Sequence, residues 1–394
     1  MTKGTGTATD TGTDTGWASP TWIESLLSEA AARGDGDGVL DALARGRLRL
    51  LTARLHADTP GHTAALPSQR DPATGRTCVP VLTSGMVPPW HPEWVFRRTS
   101  LAELAHRWPH DKRWLGVNLG TPYATVVDAR PARRKAWPAA ESRSGGPPAG
   151  LLLTHGGGPT HGPVAHGLAV GAHLAVHNSL FWNQLGAAYL DYETDIARLR
   201  DPWGVTHRAG YRRTLDSLMA TRLMGRAPES VLRTRLGLVR RLKRAPTRQE
   251  WADGVTGALV QRGASAADLA EAEEWLRRVV DCEDRFRAEG FLAPDGRIDT
   301  LAAFDYGRAV NVVRLALGAR YCDPAEAGQA VVRIGELARR AYGSWAEFSL
   351  GYGLARVIHY AGDEEAEITR EESLAQHRIL TQDPTSPYRN IPWS

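Results

Sequence analysis

The sequence predicts an α+β N-terminal domain, a mixed sheet with a few helices, joined by a flexible linker to an all-α C-terminal domain. Three observations predict it. Short β-prone runs separated by turn residues fill 47–128. A stretch rich in Pro, Gly, Arg and Ser follows at 129–150. From about residue 168 the apolar spacing turns helical and capping residues recur. A chain of 394 residues is long for one core, so two domains are expected. The expected division is a disordered tail at 1–16, the α+β domain at 17–128, a Pro/Gly/Arg/His-rich linker at 129–167, the all-α domain at 168–380 and an irregular tail at 381–394.

Residues 1–16 are a Thr/Gly/Asp repeat that cannot bury apolar surface. "SPTWIESLLSEAAARG" then reads as a helix, with Ser19 as its cap, Pro20 in its first turn and Gly34 at its end. "RLRLLTARL", "CVPVLTSG", "EWVFRRTS", "RWLGVNLG" and "YATVVDA" read as strands. One helix interrupts them, opened by the capping box of Ser100 and Glu103.

Residues 151–178, "LLLTHGGGPTHGPVAHGLAVGAHLAVHN", hold His155, His161, His166, His173 and His177, five of thirteen histidines. "THGGG" resembles an oxyanion-hole loop, but that chemistry needs a G-x-S-x-G elbow. The nearest stretch, "GASAA" at 263–267, lacks the last Gly and reads as a helix start. His173 and His177 stand four apart, so both rings can share a helix face, and they are the weak metal candidates. Zinc proteases place Glu after the first His, where this chain has Leu174. No phosphate-binding G-x-x-x-x-G-K-[ST] occurs. The stretch is therefore read as a linker entering a helix, and no metal or cofactor is expected.

In the helical half, caps are expected at Thr206, Thr247, Ser265, Thr300, Asp323, Ser344 and Thr369, giving seven or eight helices. The segment "FDYGRAVNVVR" is the most informative. Asp305, Arg308, Asn311 and Arg314 recur every three residues, with Val310, Val313, Ala316 and Leu317 on another face. Such a helix suits the centre of a bundle. Its polar side is either a structural network, with Arg308 pairing Asp305 or a neighbouring carboxylate, or a pocket for an anionic group, joined by Arg356 and His359. The structural reading is preferred. Trp345, Phe348, Tyr352 and Ala355 form a core stripe, Trp203 before Gly204 anchors a turn, and Tyr306 completes the signature.

The net charge is +4, with lysine only at 3, 112, 135 and 243. Residues 207–244 carry ten Arg and one Lys against Asp216 and Glu229, a field that suits phosphates. Eight carboxylates in 268–289 can neutralise it, and few aromatics interleave it, so nucleic acid is not the expected partner. Cys78, Cys282 and Cys322 are far apart and form no CxxC pair, which fits a reducing cytoplasm. Neither a signal peptide nor a membrane span is expected.

Two resemblances follow from these motifs. "VPVLTSGMVPPW", a capped helix and "LGVNLGTPYATVV" resemble the SseB N-terminal domain, with Leu119 where that family usually has Pro. "LRDPWGVTHRAGYRRTLDSL", "AFDYGRAVNVVRLALGARYCDPAEAGQAV" and "YGSWAEFSLGYGLAR" resemble the bacterial domain of unknown function 1266, over most of 170–362. Neither resemblance implies an activity. Together they imply a non-enzymatic, cytoplasmic protein-binding or accessory protein, secretion-associated or toxin-neutralising in its most concrete form. The alternatives are an enzyme with a polar pocket in the helical domain, and nucleic-acid or anionic-surface binding through 207–244.

Overall fold

The computed structural model describes residues 20–61, 65–145, 149–186, 190–223, 226–360 and 366–394. The 1–16 tail and the Ser19 cap lie outside the described residues. Thr21 caps the first helix, Trp22–Ala32, its Oγ1 accepting from Ile23 N. A second helix, Gly36–Arg45, packs on it and leads into the strand Leu48–Ala53. That strand pairs antiparallel with Trp94–Thr99. A four-stranded sheet runs in the order Gln69–Arg70, Thr77–Val81, Trp114–Val117, Thr125–Val127. Its middle pair is parallel and its outer pairs antiparallel. A parallel pair needs a long crossover, and here the crossover contains the Trp94–Thr99 strand and the Leu101–His106 helix. Ser100 caps that helix as expected, but the Glu103 carboxylate turns to Thr99 and Arg107 instead of closing the box.

The expected linker is structured on both sides of residues 146–148, which lie outside the described residues. Pro131–Arg134 and Ala136–Ser144 are helical. Trp137 is fully buried in the N-terminal core with Leu43, Leu48, Leu104 and Leu115, and Trp108 meets it edge-on at 5.2 Å. Composition averaged over the stretch concealed one large apolar side chain that has to be buried. Further on, Gly156 N donates to Pro20 O at 2.9 Å, and Leu153 bridges Phe181. The helical half starts at Gly162, earlier than 168.

From Gly162 onward the described residues form twelve helices, more than the seven or eight expected, the surplus including the short pieces Ala172–His177 and Pro387–Asn390. Helix Ala302–Gly318 is the hub, with fifteen of its seventeen residues buried. Around it pack Gly162–Val170, Ala172–His177, Tyr192–Trp203, Arg208–Met219, Pro324–Ala341 and Trp345–His359. Close approach sets one of the contacts beside it. A Cβ on Gly167 would stand 2.1 Å from Val331 O, so helices Gly162–Val170 and Pro324–Ala341 meet backbone to backbone. Arg226–Leu242, Arg248–Val260 and Ala266–Ala288 form a separate three-helix layer, which touches the hub's neighbours through Ala266–Ala288.

Several caps moved by a residue or more. His207, not Thr206, caps its helix, with Nδ1 accepting from Gly210 N. Leu301 rather than Thr300 is the residue before the hub, and Thr300 Oγ1 accepts from Ala302 N. Thr369 lies inside Ala366–Gln382. Thr247 and Ser265 make complete capping boxes, and Asp323 and Ser344 cap as expected. The expected irregular tail is docked. Tyr388 stacks on Trp345 at 4.4 Å, Trp345 Nε1 donates to Ile391 O, and Trp393 Nε1 donates to Tyr342 O.

The two regions touch. Trp90 Nε1 donates to Leu317 O at 3.1 Å, and Arg320 Nε donates to His91 O at 3.1 Å from a left-handed backbone with φ 64°. Tyr192 donates to Asp58 at 2.6 Å. No described helix is long and apolar enough to cross a membrane.

Because Trp137 is a core residue, Trp137→Ala is expected to destabilise the N-terminal region by about 3–5 kcal/mol, the usual cost of deleting a buried aromatic. Chemical denaturation followed by tryptophan fluorescence checks it. An unchanged midpoint would return 129–150 to the status of a linker.

Candidate functional site: the polar interior of the helical half

A helix buried on every side forces its polar residues to find partners inside the protein, because an unpaired buried charge is costly. Asp305 is fully buried and forms an ion pair with Arg308 one turn on. Its Oδ2 also accepts from Leu223 N at 3.2 Å. The Arg308 guanidinium lies 4.2 Å over Phe304 and 5.6 Å over Trp203. Trp203 is thus held at the turn where Gly204, with φ 62°, ends its helix. Tyr306 is buried beside this group; burial raises its hydroxyl pKa, with Asp305 and Glu229 adding to the shift.

Arg314 is on the same helix but belongs to a different cluster. Its guanidinium is fully buried and donates to the carbonyls of Leu168, Trp182 and Gln184. It ties the end of the histidine-rich stretch to the hub. Asn311 between them is half-buried. Arg356 is elsewhere again. It donates to Glu372 at 2.7 Å and to Ser373 Oγ, while Glu372 also lies 3.7 Å from His177 Nδ1. His359 packs near Phe304 and Tyr360. The structure therefore separates the sequence-predicted set into three places. Only Asp305 and Arg308 bond to each other as expected.

His173 and His177 also part company. His177 is on the surface side with Glu372, whereas His173 is fully buried and stacked on Tyr352 at 4.1 Å. Among the described residues no three His, Cys, Asp or Glu side chains come together as a metal site.

His173 has a partner set that its spacing did not reveal. Its Nε2 lies 2.9 Å from Ser349 Oγ and its Nδ1 3.4 Å from Gln376 Oε1. His377 Nδ1 lies 2.8 Å from the same Ser349 oxygen. One hydroxyl carries one proton, so Ser349 donates to one ring and accepts from the other. Gln376 Oε1 accepts only, which puts the His173 proton on Nδ1 and leaves Nε2 to receive the Ser349 hydroxyl. His377 Nδ1–H then donates to Ser349 Oγ. Burial lowers the pKa of His173 to about 3 and of His377 to about 4. Both rings are neutral at physiological pH, as this proton order requires. The order resembles a nucleophile activated by a histidine that an amide orients. Yet Ser349 and His173 are fully buried, so the hydroxyl meets no solvent. The cluster is a closed hydrogen-bond chain joining three helices. Ser349, Gln376 and His377 carried no signal in the sequence, since they lie 176, 203 and 204 positions from His173.

Part of the basic run folds against carboxylates. Arg208 and Arg212 pair with Glu326, and Arg244 with Glu250. Arg235 is buried and bidentate with Glu283 at 2.8 Å, as the opposed charge of 207–244 and 268–289 suggested. Arg235 also donates to Ile298 O and lies 4.4 Å over Trp251. This pair fastens the three-helix layer.

That layer encloses an open groove of about 1490 Å³. Arg233, Arg241, Glu229, Asp253 and Glu271 line it, and Gly237 and Gly257 leave open space where side chains would stand. Its walls carry both signs of charge, and among the described residues no histidine or cysteine lines it.

Two outcomes are expected. Arg235→Met takes the bidentate partner from buried Glu283 and leaves it Arg287 at 3.4 Å and Ile298 N. It is expected to lower stability by about 3 kcal/mol, the low end for breaking a buried pair, whereas adding Glu283→Leu restores most of it. Denaturant midpoints of the single and double variants check this. The second concerns pH. His173 and His377 bind protons more readily in the unfolded chain, near pH 6.5, than when folded. Stability is therefore full above about pH 6.5 and falls as pH drops from there toward 4, because protons favour the unfolded state. His173→Asn with His377→Asn should flatten this slope in denaturation series across that window.

No curated protein and no solved structure matches the chain. Residues 47–128 lie outside the family match, so the SseB-like resemblance gains no support from it. All three motifs of the helical half lie inside the match, which begins later than 170 and runs through the docked tail. Residues 198–393, just under half of the chain, match the model of the family described as protein of unknown function (DUF1266).

Proposed function

We propose that the protein is a non-enzymatic binding protein whose helical half receives a segment of a protein partner in the groove of the three-helix layer. The observation that carries this reading is the size and lining of that groove. Small-molecule pockets are typically about 300–1,000 Å³ and mostly apolar, with a few convergent polar groups. A groove of about 1490 Å³ with carboxylates facing arginines is larger and more mixed, and suits a peptide segment of alternating charge. The polar residues that would have formed an enzyme pocket point to the same reading. Asp305, Arg308, Arg314 and Arg356 are bonded to other protein groups, which leaves them little to offer a substrate.

On this reading the N-terminal region acts as an SseB-like module, and the whole is an accessory protein of a reducing compartment, secretion-associated or toxin-neutralising. Binding to nucleic acid through 207–244 is less favoured, because Arg208, Arg212, Arg235 and Arg244 are already paired with carboxylates.

The test fills the groove. Gly237→Trp and Gly257→Trp attach indoles at positions where an added Cβ meets nothing within 4 Å, and Gly328→Trp does the same on another helix outside the groove. The intact chain and the three variants are immobilised and exposed to lysate. A stoichiometric protein should stay on the unmodified chain and on Gly328→Trp, and be lost from both groove variants. Equal retention by the groove variants, or retention of no protein at all, sinks the reading.

A further inference from the structure

Arginine occupies every second position at 45, 47 and 49, where the chain enters the strand Leu48–Ala53. Side chains alternate faces along a strand. Leu48 and Leu50 enter the N-terminal core and Arg49 between them faces the other way, while Arg45, the last residue of helix Gly36–Arg45, and Arg47, just before the strand, line the same side. On that side the strand meets the start of helix Trp22–Ala32 and the 179–184 loop of the other region. A small cavity of about 50 Å³ lies between them, lined by Arg45, Arg47, Arg49, Thr21, Ser179 and Gln184.

The three arginines differ. Arg45 is exposed at the mouth, and Arg47 donates to Asn178 O at 2.9 Å. Arg49 is 3% exposed, yet its Nε and Nη1 have no acceptor. Asp195 and Asp191 attract it, while Arg47 and Arg98 repel it. Neither aspartate comes within ion-pair distance of Arg49 among the described residues, and Asp195 Oδ2 is itself without a donor. Glu24, close by in the first helix, is already engaged by Thr21, Thr83 and Gly85 N. A buried guanidinium with open N–H groups is a costly arrangement that an acceptor in the cavity would relieve.

We propose that this junction cavity binds an oxyanion, the phosphate or carboxylate end of a small molecule, with Arg49 as its buried donor fork. Planar guanidinium donors match both groups in bidentate fashion. The volume agrees: one water needs about 10–15 Å³ of such space, so 50 Å³ admits a few waters or one oxyanion group. The remainder of the ligand lies outside, past Arg45. Because residues of both regions line the cavity, the bound anion couples the N-terminal sheet to the helical half. This inference is independent of the groove reading.

The test uses the full chain, calorimetry and thermal unfolding, with sodium phosphate and sodium acetate titrated separately at constant ionic strength against sodium chloride. Saturable one-to-one binding of phosphate or acetate, with a rising melting temperature and no effect of chloride, is the expected result. Which anion binds tells a tetrahedral from a planar ligand. Arg45→Gln, at an exposed position, should weaken binding several-fold, and Arg49→Met should abolish it. Arg49→Met should also melt no lower than the unmodified chain in anion-free buffer, since it removes an unmatched buried charge. Absence of saturable binding of either anion overturns the proposal. So does binding unchanged in both variants, or an Arg49→Met protein that melts well below the unmodified chain without anion, which would make Arg49 a structural residue.

Discussion

The helical half depends on one constraint: helix Ala302–Gly318 has almost no face toward solvent. Such a helix cannot leave Asp305, Arg308 or Arg314 to water, so neighbouring segments are arranged to satisfy them. Asp305 takes its own helix's Arg308 and a backbone N–H of Leu223. Arg314 takes three carbonyls from two segments before it. These bonds decide where the histidine-rich stretch ends and where the turn at Trp203 stands. Polar residues in the core here specify geometry; their worth lies less in added stability than in excluding other packings.

Around the hub the same logic repeats at longer range. Ser349 links His173 to His377, and Arg356 links Glu372 and Ser373 to Trp345–His359. The docked C-terminal segment closes this side through three indole and phenol rings. The three-helix layer differs. It rests on Arg235 and Glu283 and keeps an open groove, so it is the part of the helical half with surface to spare for a partner.

The junction between the regions has a distinct chemistry. It is held by hydrogen bonds from Trp90, Tyr192 and Arg47, by two from Arg320, by the Arg97–Glu193 ion pair and by Trp90 packing on the helical core. Interfaces of that kind tolerate small cavities, and among the described residues Arg49 Nε and Nη1 and Asp195 Oδ2 are buried there without a hydrogen-bond partner. A junction built this way is more responsive to what occupies it than a packed core is.

Local chemistry was legible in the sequence. Ser100, Thr247, Ser265, Asp323 and Ser344 cap helices because a side-chain oxygen and a nearby N–H need only adjacent residues. The change from strand to helix period, the Asp305–Arg308 pair one turn apart and the Trp345–Phe348–Tyr352 stripe were readable for the same reason. Trp137 was missed because composition averages over a stretch, whereas burial is decided by one side chain finding a core. The partners of His173, Arg314 and Arg356 were out of reach of any local pattern, since they come from other helices and loops of the chain. The sequence by itself determined most of the elements, the five caps that rest on adjacent residues and the two-region order. Only the tertiary structure decided which polar groups were consumed in bonding and which were left facing a cavity, because that depends on what other segments bring within three ångströms.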